Sequence, residues 1–339
     1  MTKRYEQAIP FGWYFVEFAQ QLKAGDVKPL KYFGRELVLF RTESGEAKVL
    51  DAYCPHLGAH LGHGGKVRGE SIACPFHGWE FNGGGQCTAV PYAKNMPPKV
   101  AGGKQAIYAY PVTERNGVIW VWYHPQQVAP QWEVQEFPEF TAADWTPINV
   151  AECPTWTMNT ILQETAENGV DAAHFIYVHN SVKMPETDTE WTDHLRITKA
   201  ESTGPKMQDD GTLDRTSGAL GITYLTSMSI GPGQTSNRFT GAVETLLMGL
   251  ATPVDDQNLE LRFIFTQPKE LSLGKRMMAE GVKRNLIEQV QNDIPIWENK
   301  KYVASPVLCD SDGPIHQYRK WFQQFYADAD APVPMRAVQ

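Results

Sequence analysis

The sequence predicts an α+β chain of two domains: an all-β module, then a mostly antiparallel sheet with helices grouped against it. Three observations predict it. Short runs that alternate or are rich in β-branched and aromatic residues fill residues 34–123: Glu36–Arg41, Lys48–Ala52, Ser71–Ala73, Gln105–Val112 and Val118–Trp122, with Gly or Pro between them. The stretch His124–Phe140 carries Pro125, Pro130 and Pro138, offers few apolar contacts and reads as a linker. Beyond it the pattern changes. Asn159–Val178 and Lys275–Tyr302 read as helices, and Gly221–Thr226, Phe239–Ala251 and Leu259–Thr266 as longer strands, with Asp255-Asp256-Gln257-Asn258 as a hairpin turn. The domains are accordingly expected at 1–125 and 126–339.

Length supports this division, since 339 residues, 42% of them hydrophobic, exceed one ordinary core. An aromatic content of 11% with mixed charges excludes a disordered chain. Acidic residues outnumber basic ones 39 to 31, a net charge of −8, and no basic stripe exists for a phosphate backbone, so nucleic acid is not an expected partner. The apolar run Ala8–Val16 is interrupted by Pro10 and Gly12, is closed by Glu17, and is far short of a membrane span. With no evident signal cleavage site either, a cytoplasmic protein is expected. Five cysteines make no disulfide framework. Cys87, Cys153 and Cys309 read as buried or half-buried thiols.

Cys54 and Cys74 differ from those three. Cys54-Pro-His56, seventeen residues, then Cys74-Pro-Phe-His77 supplies two thiolates and two imidazoles, a mixed pair on each of two loops. If the cysteines take one iron and the histidines another, both loops contribute to both metals and are clamped together. Two neutral imidazoles in place of thiolates leave such a cluster less negative and easier to reduce. Gly58, Gly62, Gly64, Gly65 and Gly78 flank the loops, where tight turns need them. A structural zinc site is the alternative, but zinc fingers usually pair Cys with Cys and His with His at other spacings. His60 and His63, in the same loop, read as polar loop residues.

A second constellation lies in Glu167-Asn168-Gly169-Val170-Asp171-Ala172-Ala173-His174-Phe175-Ile176-Tyr177-Val178-His179. Asp171 and His174 share a helix face. His174 and His179 are five apart, about 140° from one another on an ideal helix. They can meet one metal only if the helix ends or deforms before His179. Two histidines and one carboxylate form a facial set that leaves positions open for O₂ and substrate. Asp293, flanked by Ile294, Ile296 and Trp297 and followed by Pro295, which should kink the helix, is a candidate for the third ligand, with Glu288 and Glu298 as rivals.

From about Gly12 to Tyr326 the chain resembles the Rieske oxygenase α-subunits. Cys54-Pro-His56 … Cys74-Pro-Phe-His77-Gly-Trp79 resembles the family's cluster loops, and Asn168-x₂-Asp171-x₂-His174-x₄-His179 its iron site. Within the family it is most similar to the steroid-acting branch, which holds the oxygenase component of 3-ketosteroid 9α-hydroxylase and the Rieske cholesterol 7-desaturases. That similarity rests on Asp293-x₂-Ile-Trp297, Val90-Pro-Tyr-Ala-Lys94 and Asp312-Gly-Pro … Tyr318-Arg319-Lys320-Trp321 … Gln324-Phe325-Tyr326. The resemblance implies a Rieske β-domain followed by a helix-grip catalytic domain with a deep hydrophobic cavity. It implies a [2Fe–2S] cluster on Cys54, His56, Cys74 and His77, and a mononuclear Fe(II) on His174, His179 and Asp293. It further implies a ring-shaped homotrimer in which Asp171 links His77 of one chain to His174 of its neighbour. Asn168 either lines the route to the iron or acts as a cap. Respiratory Rieske proteins carry two further cysteines where this chain has Ala59 and Phe76, which disfavours that class. The loop Leu57–His63 looks nearer the desaturases.

The implied activity is hydroxylation or desaturation of a C–H bond with O₂ and electrons from an NAD(P)H-dependent flavin or iron–sulfur reductase. The alternatives are an aromatic-ring dioxygenase, a Rieske electron carrier, and a sterol-binding protein with a vestigial cluster. The residues after the linker and the second ligand set argue against a carrier, and intact ligands against a vestigial cluster. A flat, neutral polycyclic substrate is expected, with Leu246 and Met248, and Phe263 and Phe265, as candidate lining of an apolar slot.

Overall fold

The computed structural model describes residues 3–181, 184–206, 208, 212, 214, 216–241 and 243–327. The described residues form two compact units: Trp13–Val134, and residues 3–12 together with those of 135–327. No helix among the described residues is long and apolar enough to cross a membrane.

The first unit is built from strands in three antiparallel sheets. In chain order they are β1 (Gly12–Phe18), β2 (Val27–Tyr32), β3 (Arg35–Arg41), β4 (Ala47–Asp51), β5 (Lys66–Arg68), β6 (Ser71–Ala73), β7 (Glu80–Asn82), β8 (Cys87–Ala89), β9 (Ala109–Tyr110), β10 (Val112–Arg115) and β11 (Val118–Tyr123). The sheet orders are β1-β11-β10, β2-β3-β4-β9 and β5-β6-β7-β8. The stretch expected as one strand over Gln105–Val112 is two: β9 pairs with β4, and β10 pairs with β11. The central strands β3 and β11 read as continuous apolar runs because both faces are covered. Leu37, Val38, Leu39 and Phe40 are all fully buried, as is every residue from Val118 to Trp122. Val38, Phe40 and Leu50 share one core with Ile72 and Phe81, and Cys54 and Cys74 belong to that same core.

The second unit holds a seven-stranded sheet: β12 (Thr155–Met158), β13 (Glu186–Thr192), β14 (Leu195–Pro205), β15 (Leu220–Ile230), β16 (Gln234–Thr240), β17 (Thr245–Pro253) and β18 (Leu259–Thr266). Their order is β12-β18-β17-β16-β15-β14-β13. Strands β13 to β18 form a meander, and β12 closes its far edge. The connection from β12 to β13 must therefore cross the whole sheet, and it carries α1 (Leu162–Glu167) and α2 (His174–Tyr177). After β18 come the long α3 (Leu273–Asn299) and the short α4 (Ile315–Phe322). Ser272 caps α3 by accepting a hydrogen bond from the Lys275 amide, and the helix continues through Pro295.

Several expectations need correction. The single helix expected over Asn159–Val178 is two short helices with a non-helical stretch between them. The strand expected over Phe239–Ala251 is the end of β16 and most of β17. Gly241 turns the chain at φ +125°, and an added Cβ there would lie 2.5 Å from the Ile222 carbonyl oxygen. The expected linker is not free of packing, since it buries Phe137 and Phe140.

Register also divides the apolar pairs expected to line one slot. Met248 pairs with Ile264 and Leu246 with Thr266, whereas Phe265 pairs with Leu247 and Phe263 with Gly249. Cross-strand partners share a face, so the two pairs lie on opposite faces of the sheet. The Leu246/Met248 face is covered by the 135–146 segment, through Gln135 to Gln234, Glu139 to Arg238 and Thr146 to Thr266. The Phe263/Phe265 face carries Trp156, against whose ring Phe263 packs, and it receives α3 through the Gln267 side-chain amide on the Ala279 carbonyl. Met248 is fully buried. Met248→Ala is expected to cost about 2–5 kcal/mol of stability as a cavity, read by denaturant unfolding, without altering ligand binding. Loss of binding with stability intact would put Met248 back in the slot.

Candidate metal centres

The two loops of the first unit are built alike. In each, the cysteine amide donates to the carbonyl five residues on: Cys54 to Ala59 at 2.9 Å and Cys74 to Trp79 at 2.8 Å. In each, the glycine four residues on donates back to the cysteine carbonyl: Gly58 to Cys54 at 2.9 Å and Gly78 to Cys74 at 3.0 Å. Both glycines have left-handed backbone, φ +76° and +71°, which closes such a turn at no steric cost. The thiols are buried at the loop bases and the histidines project from the turns. The His56 and His77 rings lie 4.7 Å apart at 74°. The structure thus brings together Cys54, His56, Cys74 and His77.

Burial and the adjoining Cys74 thiol push the Cys54 thiol up to about 11. Such a thiol becomes a thiolate readily only when a cation takes it. The His56 Nδ1 atom is buried with no hydrogen-bond partner. Two adjoining thiols, two facing imidazoles and one orphaned ring nitrogen fit a mixed Cys/His iron–sulfur cluster. Sequence reasoning passed over two supports. Trp79 stacks on His56 at 4.6 Å and 10°, and its indole N–H donates to the Tyr92 hydroxyl at 2.8 Å. Leu57, Phe76 and Tyr92 are exposed on the loops and at the cluster's support. His60 accepts a hydrogen bond from the Gly62 amide at Nδ1 and directs Nε2 toward Glu36.

The second unit brings together His174, His179 and Asp293, whose ligand atoms all lie within 4.8 Å of one another. His174 opens α2, and the helix ends at Tyr177, before His179. The break lets the two rings approach to 5.0 Å at 78°. Asp171 starts α2 by accepting hydrogen bonds from the Ala173 and His174 amides at 3.1 and 3.3 Å. The His174 Nδ1 is held by the Asp171 backbone carbonyl rather than by its carboxylate, which stands 3.9 Å away. That contact fixes the tautomer and leaves Nε2 as the free lone pair. Burial lowers the His174 pKa, which favours the neutral imidazole that a metal needs.

Asp293 is buried on α3, with Oδ1 3.4 Å from His179 Nε2. The His179 Nδ1 is buried without a partner. A buried carboxylate and two imidazoles with ligand atoms this close fit a facial Fe(II) site. The rival carboxylates are directed elsewhere: Glu288 is exposed, and Glu298 accepts from the Asn159 amide. Asn168 caps the end of α1, and its Oδ1 accepts from the Trp297 indole at 3.2 Å.

A β-unit with a paired Cys/His loop site and a helix-bearing antiparallel sheet with a two-His, one-carboxylate cluster define a Rieske-type oxygenase. The chain matches the Rieske [2Fe-2S] domain over residues 12–110 and the 3-ketosteroid 9alpha-hydroxylase C-terminal domain over residues 121–326. It is 32% identical to a 3-ketosteroid-9-alpha-monooxygenase oxygenase component of Rhodococcus rhodochrous, across 95% of this chain and 85% of that protein. It is 32% identical to the cholesterol 7-desaturase of Caenorhabditis elegans, across 94% and 77%. Among solved structures it superposes on NdmA of Pseudomonas putida CBB5 with caffeine, at a TM-score of 0.70 and 20% identity over 92% and 89% of the two chains. It also superposes on apo dicamba monooxygenase, at 0.68 and 16% over 94% and 98%. The chain belongs to the Rieske oxygenase family that holds the 3-ketosteroid 9α-monooxygenase oxygenase components and the cholesterol 7-desaturases. It is an oxidoreductase, and its cofactors are a [2Fe–2S] cluster and a mononuclear iron.

Of the remaining cysteines, Cys87 is buried, Cys153 half-buried and Cys309, against expectation, exposed. Iodoacetamide is expected to label Cys309 in the native protein and to leave Cys54 and Cys74 unmodified until denaturant is added. Peptide mass spectrometry reads the sites, and early labelling at Cys54 would contradict the buried loop base.

Proposed function

We propose that this chain is the oxygenase component of a multi-component monooxygenase that hydroxylates or desaturates a flat, neutral, steroid-like polycycle. The observation that carries the reading is the His174/His179/Asp293 cluster in a chain 30–32% identical along nearly its whole length to steroid-oxidising relatives. Cys54, His56, Cys74 and His77 would hold the cluster, and His174, His179 and Asp293 the mononuclear iron. When bound, the iron supplies O₂ activation, and the cluster passes it electrons from an NAD(P)H-dependent reductase.

The chain's own residues prepare that chemistry. The Asp171 carbonyl orients the His174 ring, and the α2 terminus turns His179 toward it. Burial of Asp293 keeps competing water from its carboxylate. The Phe263, Phe265 and Trp156 side chains beneath α3 are half-buried and aromatic, suited to a rigid apolar ligand. Such a ligand gains about 25 cal/mol per Å² of apolar surface buried. On the same face, the buried Arg196 donates to Ser229 through one nitrogen and keeps Nε and Nη1 without hydrogen-bond partners. The Asp171 carboxylate is part-exposed, and in a homotrimer it would bridge to a neighbouring chain while its Oδ1 keeps the Ala173 and His174 amides; the location would be cytoplasmic.

Asp293→Ala is expected to keep the cluster spectrum and acid-labile sulfide while iron falls from about three to about two per chain, with loss of turnover. Iron analysis beside the visible spectrum decides it, and zinc without sulfide in the wild type would end the reading. Titration with 3-keto and 3-hydroxy steroids and with benzoate-type acids, followed by O₂ uptake with a surrogate reductase, tests the substrate. Coupled uptake with a steroid is expected. Coupled uptake with a monocyclic acid alone would move the chain to the aromatic-ring oxygenases.

A further inference from the structure

We infer that Trp297 is a positioning residue of the mononuclear site, holding the histidine-bearing segment in register with the helix that carries Asp293. The inference rests on the His174/His179/Asp293 reading above. Asp293 and Trp297 are four residues apart on α3, so they share a face, and both are buried. The Trp297 indole N–H reaches across to Asn168, six residues before His174. One hydrogen bond therefore ties the element bearing the carboxylate to the segment bearing the imidazoles.

That segment needs such a tie. Between α1 and α2, residues 168–173 lack a helical ladder, and their local bonds are isolated: Gly169 to Ala166, Val170 to Glu167, and the Ala173 and His174 amides to the Asp171 carboxylate. Its position is set by neighbours, one residue at a time. Arg319 forks onto the Glu167 carboxylate at 2.7 and 2.9 Å. The Arg196 guanidinium lies so close to Gly169 that an added Cβ would meet it at 2.7 Å. A Cβ on Gly313 would lie 2.4 Å from the Val170 carbonyl oxygen. Of these contacts, the one from Trp297 shares an element with a proposed iron ligand. The others fix where the segment sits, and Trp297 fixes where it sits relative to Asp293. Asn168 on this reading acts through Trp297.

Trp297→Phe deletes the N–H donor and keeps an aromatic ring. Asn168→Ala deletes the acceptor, and Asn168→Asp restores an oxygen. The mononuclear iron is removed by chelation from cluster-intact protein. Fe(II) is then returned by equilibrium dialysis, and its ligand field is read by near-infrared magnetic circular dichroism with the cluster oxidised. Trp297→Phe and Asn168→Ala are expected to bind Fe(II) about 10–100-fold more weakly, with shifted bands and an unchanged cluster spectrum, and Asn168→Asp to recover the wild-type bands. Leu286→Ala, a core truncation on the same helix, is expected to lower Tm and leave the bands in place. Wild-type affinity and bands in Trp297→Phe and Asn168→Ala overturn the inference. Fe(II) binding unchanged in Asp293→Ala would instead overturn the ligand reading beneath it.

Discussion

Two imidazoles five residues apart cannot face one metal from a continuous helix, and the architecture of the second unit answers that constraint. At about 100° per residue their directions diverge by roughly 140°. The chain ends α2 at Tyr177, between the two imidazoles, and a separate non-helical stretch precedes α2 after Glu167. Asp171 serves both ends of the problem. Its carboxylate accepts the first amides of α2, and its carbonyl pins the His174 ring. The cost is a stretch of backbone that no longer holds itself.

External support for that stretch explains the composition of α1. A short helix at a protein surface normally turns its charges outward, yet Gln163, Glu164 and Glu167 are among its buried residues. Each has a partner from the 297–326 region. Tyr318 donates to the Gln163 carbonyl and Tyr326 to its side-chain amide oxygen, Lys300 pairs with Glu164, and Arg319 with Glu167. A buried charge is tolerated only when it is paired, and removing one partner leaves an uncompensated ion. The C-terminal Tyr-Arg-Lys-Trp stretch is thus bound physically to α1, just ahead of the histidine-bearing segment and more than 150 residues earlier.

The same distances separate what the sequence disclosed from what it withheld. The cluster loops were legible because everything that shapes them is local. Each loop holds one cysteine, one histidine and a left-handed glycine within five residues. The break between His174 and His179 was legible because helix geometry alone demands it. The inward face of α1 was not, since nothing in Leu-Gln-Glu-Thr-Ala-Glu reveals partners beyond residue 297. Nor were the polar strands β13 and β14, whose Thr and Glu residues show no apolar alternation. The two faces of the large sheet were hidden for another reason. Alternation within a strand shows which residues point together, but only cross-strand register shows that Met248 and Phe265 point apart.

The two centres are coupled to their folds in different ways. Cys54 and Cys74 belong to the hydrophobic core that also holds Val38, Phe40, Ile72 and Phe81. Their loop bases are core packing, and the orphaned His56 Nδ1 leaves a buried polar atom whose partner the chain does not supply. An unsatisfied buried group costs about 1–3 kcal/mol, so a group that satisfies it contributes to folding of that unit. His174, His179 and Asp293 instead sit at the meeting of α2 and α3, outside the sheet's fully buried core, and their backbone is fixed by protein contacts from Arg319, Arg196 and Trp297. One site is built into a hydrophobic core, and the other is framed by contacts that reach its segment from separate elements. Side chains framed in this way owe their geometry to packing and hydrogen bonds from several elements rather than to one local loop.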